Sequence, residues 1–305
     1  MRDLNLPLPV TRAMLRPIFW AILNARLPFP AQRTLFEAVS RAQPIPEGAM
    51  VRQMRLGGRA AERISFEDTA DDGAVLYLHG GGYTIGSITT HRTLAARLAR
   101  EAGFAVYILD YRLAPEHPYP AALDDAEAAF VDLMALTGCR SEQIAISGDS
   151  AGGGPALGLA QRLVTHHGCT PAGLGLIAPV TDPTRIPDGA RELVLNVPWM
   201  RACATAYVGD GDPADPRFAP LLGEMRGLPP TYVQVDVSEL LHGQCVDLVA
   251  ALRAADVPVR YTETRGMWHV AQLQAALTAP AATLVRELGQ FLRSVIRMAD
   301  LQELD

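Results

Sequence analysis

The chain of 305 residues has no run of eighteen consecutive apolar residues, so nothing in it reads as a helix long enough to span a bilayer. It has no C-x-x-C pair: Cys139, Cys169, Cys203 and Cys245 are its four cysteines and stand far apart. Scattered cysteines in a chain of this length read as free thiols of a reducing compartment. There is no basic run, and a net charge of −6 gives no electrostatic reason to bind nucleic acid. The N-terminus does not read as a signal peptide either. Asp3 and three prolines interrupt the first seventeen residues, Arg12 and Arg16 break the apolar stretch, and no A-x-A site follows. These absences predict a cytoplasmic protein with neither nucleic acid nor membrane as partner. What is present, 49% hydrophobic and 20% charged residues, suits a globular enzyme with a core of useful size.

Strand-like and helix-like segments alternate along most of the chain. Met50 to Leu56 and Ala61 to Phe66 form a candidate hairpin about Gly57-Gly58. Further strands are expected at Ala74 to Leu78, Phe104 to Leu109, Ile144 to Ile146, Leu174 to Ile177, Thr231 to Val235 and Val259 to Thr262. Helices are expected at His91 to Glu101, Ala121 to Leu136, Gly153 to Val164 and Val246 to Ala254, with one or two more, broken near Pro280, over Ala271 to Ile296. Such alternation argues a mostly parallel sheet covered on both faces. Two stretches fall outside the pattern. Residues 1–45 read as one or two helices lying on the body; Met14 to Leu27 has some character of an interfacial membrane helix, but interior Pro17 and mixed faces argue against it. Pro183 to Gly227 is rich in Pro, Gly and Asp, with one helix expected near Pro198 to Tyr207, and reads as an insertion capping a site.

The site is expected at Gly148-Asp149-Ser150-Ala151-Gly152, a G-x-S-x-G turn between a strand and a helix. Such a turn holds a serine hydroxyl clear of the sheet, and the following helix aims its positive end where an oxyanion would form. A serine hydroxyl needs a base beside it and a third group to orient that base. Four histidines follow Ser150. His166 and His167 end a helix before Gly168 and suit its dipole; His242 lies in the candidate acid loop; His269 follows a strand in a loop, as a base should. The acid belongs after the strand Thr231 to Val235, where Asp236 and Glu239 both qualify and Asp247 is more distant; spacing does not separate the first two. His79-Gly80-Gly81-Gly82-Tyr83 follows a strand and offers close-approaching backbone N–H groups. It lacks the Gly-Lys-Ser/Thr of a phosphate loop. Asp124-Asp125 reads as a solvated first helical turn rather than a metal site.

Together, HGGG and GDSAGG, with Asp110-Tyr111-Arg112-Leu113-Ala114-Pro115-Glu116-His117-Pro118-Tyr119-Pro120 between them, resemble the hormone-sensitive-lipase-like branch of the α/β hydrolases, the bacterial carboxylesterases. The resemblance spans roughly residues 45–295. It implies an α/β-hydrolase fold with a helical cap, N-terminal cap helices in residues 1–45, and a catalytic domain over 46–305 with a cap insertion near 183–227. It implies Ser150 as nucleophile, His269 as general base, and Gly81, Gly82 and Ala151 as oxyanion donors. It also points to Glu239 as the acid, thirty residues before the histidine, although Leu240 and Gly243 depart from the family's D-P-L-R-D-like pattern. The activity implied is hydrolysis of short- to medium-chain acyl esters of small molecules, without cofactor or metal; a homodimer fits the resemblance. An amidase, lactonase or deacetylase would use the same residues, and a non-catalytic binding protein on this scaffold would be expected to lose one of them.

Overall fold

The apolar runs of the sequence become one eight-stranded sheet in the computed structural model, which describes residues 3–187 and 192–301. The strands are β1 (Met50–Leu56), β2 (Arg59–Ser65), β3 (Ala70–Leu78), β4 (Phe104–Leu109), β5 (Ile144–Asp149), β6 (Leu174–Ile177), β7 (Thr231–Asp236) and β8 (Val259–Thr264). Their order across the sheet is β1-β2-β4-β3-β5-β6-β7-β8. β1 and β2 pair antiparallel about Gly57-Gly58, both at positive φ as a two-residue hairpin turn requires. β2 is antiparallel to β4, and every later pairing is parallel.

Alternation along the strands sends side chains to two cores. On one face Val75, Tyr77, Phe104 and Val106 pack with α3 (Ile88–Ala102), α8 (Ala279–Leu301) and the inner side of α1 (Leu8–Ile22). On the other, Leu76, Leu78 and Ile146 meet α4 (Ala121–Thr137), α5 (Gly153–Arg162) and α7 (His242–Ala254). Two helices complete the chain: α2 (Phe29–Ser40), and α6 (Val197–Val208) within the Pro/Gly-rich stretch, where residues 188–191 lie outside those described.

Several boundaries differ from expectation for local reasons. α3 begins before His91 because the Thr90 hydroxyl takes up the Ser87 N–H at 2.9 Å. α1 ends at Ile22, well short of Leu27, and contains Pro17. The C-terminal break falls before α8 rather than at Pro280, which sits in the first turn, where no N–H is missed. Asp125 is not solvated: it is buried and accepts from the main-chain and guanidinium N–H groups of Arg112 at 2.8 and 3.0 Å. Among the described residues no helix is long and apolar enough to cross a membrane, and all four cysteines are free thiols.

Candidate active site

Close backbone packing builds the serine turn. A Cβ at Gly152 would lie 2.1 Å from the carbonyl oxygen of Leu78 and 2.5 Å from that of His79, and one at Gly148 would lie 2.7 Å from the carbonyl oxygen of Gly152. Only glycine fits at these two positions. Ser150 itself has φ 50°, a left-handed conformation that costs a non-glycine residue energy and is held by the packing around it. The result is a buried serine at the mouth between β5 and α5.

Three sequence-distant side chains meet there. His269 Nε2 is 2.8 Å from Ser150 Oγ, and His269 Nδ1 is 2.6 Å from Glu239 Oε2. The other carboxylate oxygen of Glu239 accepts the Asp236 N–H at 2.8 Å, which fixes the carboxylate plane. Asp236 does not reach the histidine. It accepts from the Ser238 hydroxyl, the Thr264 hydroxyl and the Met267 N–H at 2.6, 2.8 and 2.8 Å, and so shapes the loops carrying Glu239 and His269. His242 and Asp247 are elsewhere, paired with Glu263 and Arg185. His167 pairs with Glu127. Burial pulls the His269 imidazole down, but the hydrogen bond and charge of Glu239 outweigh it and leave the ring above the ordinary imidazole value.

The glycine loop after β3 bends back over the serine. Gly81 and Gly82 have φ 124° and 61°, and a Cβ on Gly81 would lie 2.2 Å from the Ile85 carbonyl oxygen. Neither glycine donates to another main-chain group among the described residues, which leaves both N–H groups free for a ligand. Ala151, at the start of the turn into α5, is the third expected donor and is buried. The loop is pinned from below. Asp149 accepts the Gly80 N–H at 3.0 Å and the Tyr77 hydroxyl at 2.7 Å, with His91 Nε2 at 3.3 Å; Tyr111 donates to the His79 carbonyl at 2.5 Å. Burial opposes the charge on Asp149, but His91 and Tyr77 hold its carboxyl below the usual range. Burial pushes the His79 imidazole down to about 3, so this ring is neutral.

Two helices from the start of the chain clamp the same loops. Arg33 of α2 donates to the carbonyls of Thr84 and Ala114 at 2.7 and 2.9 Å. Arg12 of α1 donates to those of Gly266 and Met267. Sequence reading missed these residues, as it missed Glu192, whose carboxylate accepts the N–H groups of Leu195 and Leu240 at 3.2 and 3.1 Å beside the acid loop. Two small cavities of about 30 and 40 Å³ touch Ser150, one bounded by Tyr83, Trp199 and Cys203, the other by Phe19, Phe36 and Leu273. A further cavity, about 700 Å³, does not reach the serine. Among the described residues no group of histidine, cysteine and acidic side chains could hold a metal.

A buried serine, a histidine and a carboxylate in a hydrogen-bonded chain, under a glycine loop at the carboxyl ends of parallel strands, define a hydrolase of the α/β class. A family model for the alpha/beta hydrolase fold matches residues 75–273. An esterase of Acinetobacter venetianus is 32% identical over 289 residues, covering 90% of this chain and 95% of that protein. Esterase LipU of Mycobacterium tuberculosis is 34% identical, with 90% and 92% covered. The solved structure of an esterase from the bacterial hormone-sensitive lipase family superposes with a TM-score of 0.86 at 32% identity, covering 92% of this chain and 98% of that one. The chain belongs to the α/β-hydrolase family, in its hormone-sensitive-lipase-like branch of carboxylesterases.

Proposed function

We propose that Ser150, His269 and Glu239 act as the nucleophile, base and acid of a small-ester hydrolase. The observation that carries this reading is the unbroken chain from Ser150 Oγ to His269 Nε2 and from His269 Nδ1 to Glu239 Oε2, at 2.8 and 2.6 Å. Ser150 Oγ attacks the ester carbonyl carbon as its proton passes to Nε2. Glu239 keeps the proton on Nδ1 and stabilises the imidazolium. The carbonyl oxygen, now an anion, accepts from the N–H groups of Gly81, Gly82 and Ala151. His269 returns its proton to the leaving alcohol, and a water molecule activated by the same ring clears the acyl group from Ser150.

The narrow cavities beside Ser150, about 30 and 40 Å³, favour the short end of the short- to medium-chain acyl range. Residues 1–45 and 183–227 serve in this reading as the cap, since Phe19, Phe36 and Trp199 line those cavities. The reading includes a cytoplasmic setting, which the free thiols suit, and a homodimer, for which the family resemblance is the support. The test is hydrolysis of a chromogenic series from acetyl to dodecanoyl ester by wild type and Ser150→Ala. Turnover that falls with chain length and vanishes in the variant is expected. Equal turnover by both proteins, or none by either, overturns the mechanism; turnover of amides in preference to esters overturns the substrate class.

A further inference from the structure

The first helix is apolar on both sides. Between Leu8 and Ile22 its only polar residues are Thr11, Arg12 and Arg16. Leu15, Phe19 and Ile22 are buried, yet Val10, Met14 and Trp20 on the opposite side are 46%, 51% and 60% exposed. Ala13, Pro17 and Ala21, also exposed, lie between them. At 3.6 residues per turn these six span a sector of about 120°. A helix apolar all round belongs in an interior, and here half of one faces water. The exposure is not general: seven of the fourteen exposed large apolar side chains among the described residues fall in residues 3–45.

The flank of that stripe is basic. Arg12 and Arg16 line the large cavity, about 700 Å³, together with Pro9, Ala13, Ser238 and Trp268. Glu192 is the one carboxylate described in that lining, and it already accepts the N–H groups of Leu195 and Leu240. Arg16 is exposed and makes no ion pair among the described residues. α1 has no acidic residue, although the chain as a whole carries −6. The chain contains no lysine, so each of its 27 basic residues is an arginine, whose planar fork matches phosphate oxygens. A second copy with α1 on the two-fold axis fits this face poorly, because that contact would set the acid-free helix against itself, arginine facing arginine.

We propose that the outer face of α1 is a docking surface for an anionic phospholipid bilayer, with Val10, Met14 and Trp20 entering the headgroup–acyl boundary and Arg16 meeting lipid phosphate. The mixed pattern that argued against an interfacial helix in the sequence is two apolar faces, one turned to the protein and one outward. Pro17 lies in the outward stripe and does not interrupt it. Phe19, on the inner side, borders a cavity at Ser150, so docking brings that cavity close to the lipid surface. The proposal does not rest on ester hydrolysis.

The test is co-sedimentation of the full chain with vesicles of phosphatidylcholine and phosphatidylglycerol, roughly 7:3, and with phosphatidylcholine alone. Tryptophan emission is read on the same samples. Trp20 is exposed while Trp199 and Trp268 are buried, so a blue shift on adding vesicles reports Trp20, and Trp20→Phe abolishes it. Wild type is expected to partition onto the anionic vesicles in a salt-sensitive way. Met14→Glu with Arg16→Glu is expected to lower that partition at least about tenfold, with hydrolysis of a soluble acetyl ester unchanged. Wild type left in the supernatant, or equal partition onto both vesicle types, overturns the proposal. A concentration-dependent blue shift of Trp20 without lipid also overturns it and assigns the face to a second copy.

Discussion

The guanidinium of Arg12 holds the carbonyl oxygen of Met267 at 3.0 Å, two residues before the histidine that meets Ser150. It holds the Gly266 carbonyl as well, at 2.9 Å. The loop between them needs such anchors, because Gly266 and Val270 both sit at positive φ, at 86° and 49°. Its second anchor is Asp236, which accepts the Met267 N–H. Arg12→Ala is therefore expected to lower kcat about three- to tenfold with KM little changed, since a misplaced base weakens the transition state more than substrate binding. Steady-state kinetics on an acetyl ester measure this, and an unchanged kcat would remove Arg12 from the positioning of His269.

In the proposed mechanism attack by Ser150 needs the neutral imidazole, so kcat/KM is expected to rise with pH as His269 loses its proton. Glu239 raises that imidazole against the pull of burial, and the inflection is expected above the ordinary histidine value. Glu239→Gln removes the charge that raises it. The inflection moves down, and kcat falls by on the order of 10²–10⁴ because the tautomer is no longer fixed. A pH–rate profile that the substitution leaves in place would point to another acid.

Glu192 titrates in the opposite sense to an ion-paired carboxylate. Burial pushes its carboxyl up to about 7, so between the usual carboxylate range and that value the folded chain keeps a proton that the unfolded chain has lost. Stability from this group is present below the unfolded value and declines as pH rises toward about 7. Glu192→Gln removes the decline. The variant is expected to gain roughly 1–2 kcal/mol on wild type between acid and neutral pH, a figure discounted for the part of the residue that water reaches. Thermal melts of both proteins across that range check it; parallel curves would contradict the shift.

Gly152→Ala sets a side chain against main chain. Its Cβ would lie 2.1 Å from the Leu78 carbonyl oxygen, backbone that cannot rotate away. A loss of more than about 3 kcal/mol is expected, as befits overpacking against main chain. Denaturant unfolding measures it, and a loss below about 1 kcal/mol would show that β3 yields more readily than its packing implies.

The central strands and the serine turn were legible because their signals are local. β4 and β6 follow directly from apolar runs that begin after a glycine, and Gly148 to Gly152 carries its steric logic in five consecutive residues. Which carboxylate meets His269 was less legible. Asp236 and Glu239 are three residues apart at the end of one strand, and which of them turns toward the histidine is decided by Ser238, Thr264 and Met267, which occupy Asp236. Arg12 and Glu192 left no local signal. Their partners are distant in the chain or main-chain groups without sequence identity, as with Arg12 and Met267, 255 residues apart. Asp125 misled because an acidic pair in a first turn is ordinarily solvated, and here Arg112 folds back over it.

The order in which the groups proposed to react occur along the chain has a consequence for its synthesis. The glycine loop and Ser150 emerge from the ribosome long before Glu239 and His269, which wait for β7 and β8. α8, which follows both in the chain, packs with α3 in one core. A nascent chain that has folded its first strands thus displays a hydroxyl with no base beside it. Under the proposed mechanism, hydrolysis waits until the loop bearing His269 closes over Ser150, so a chain terminated before that histidine is inert rather than an unregulated fragment.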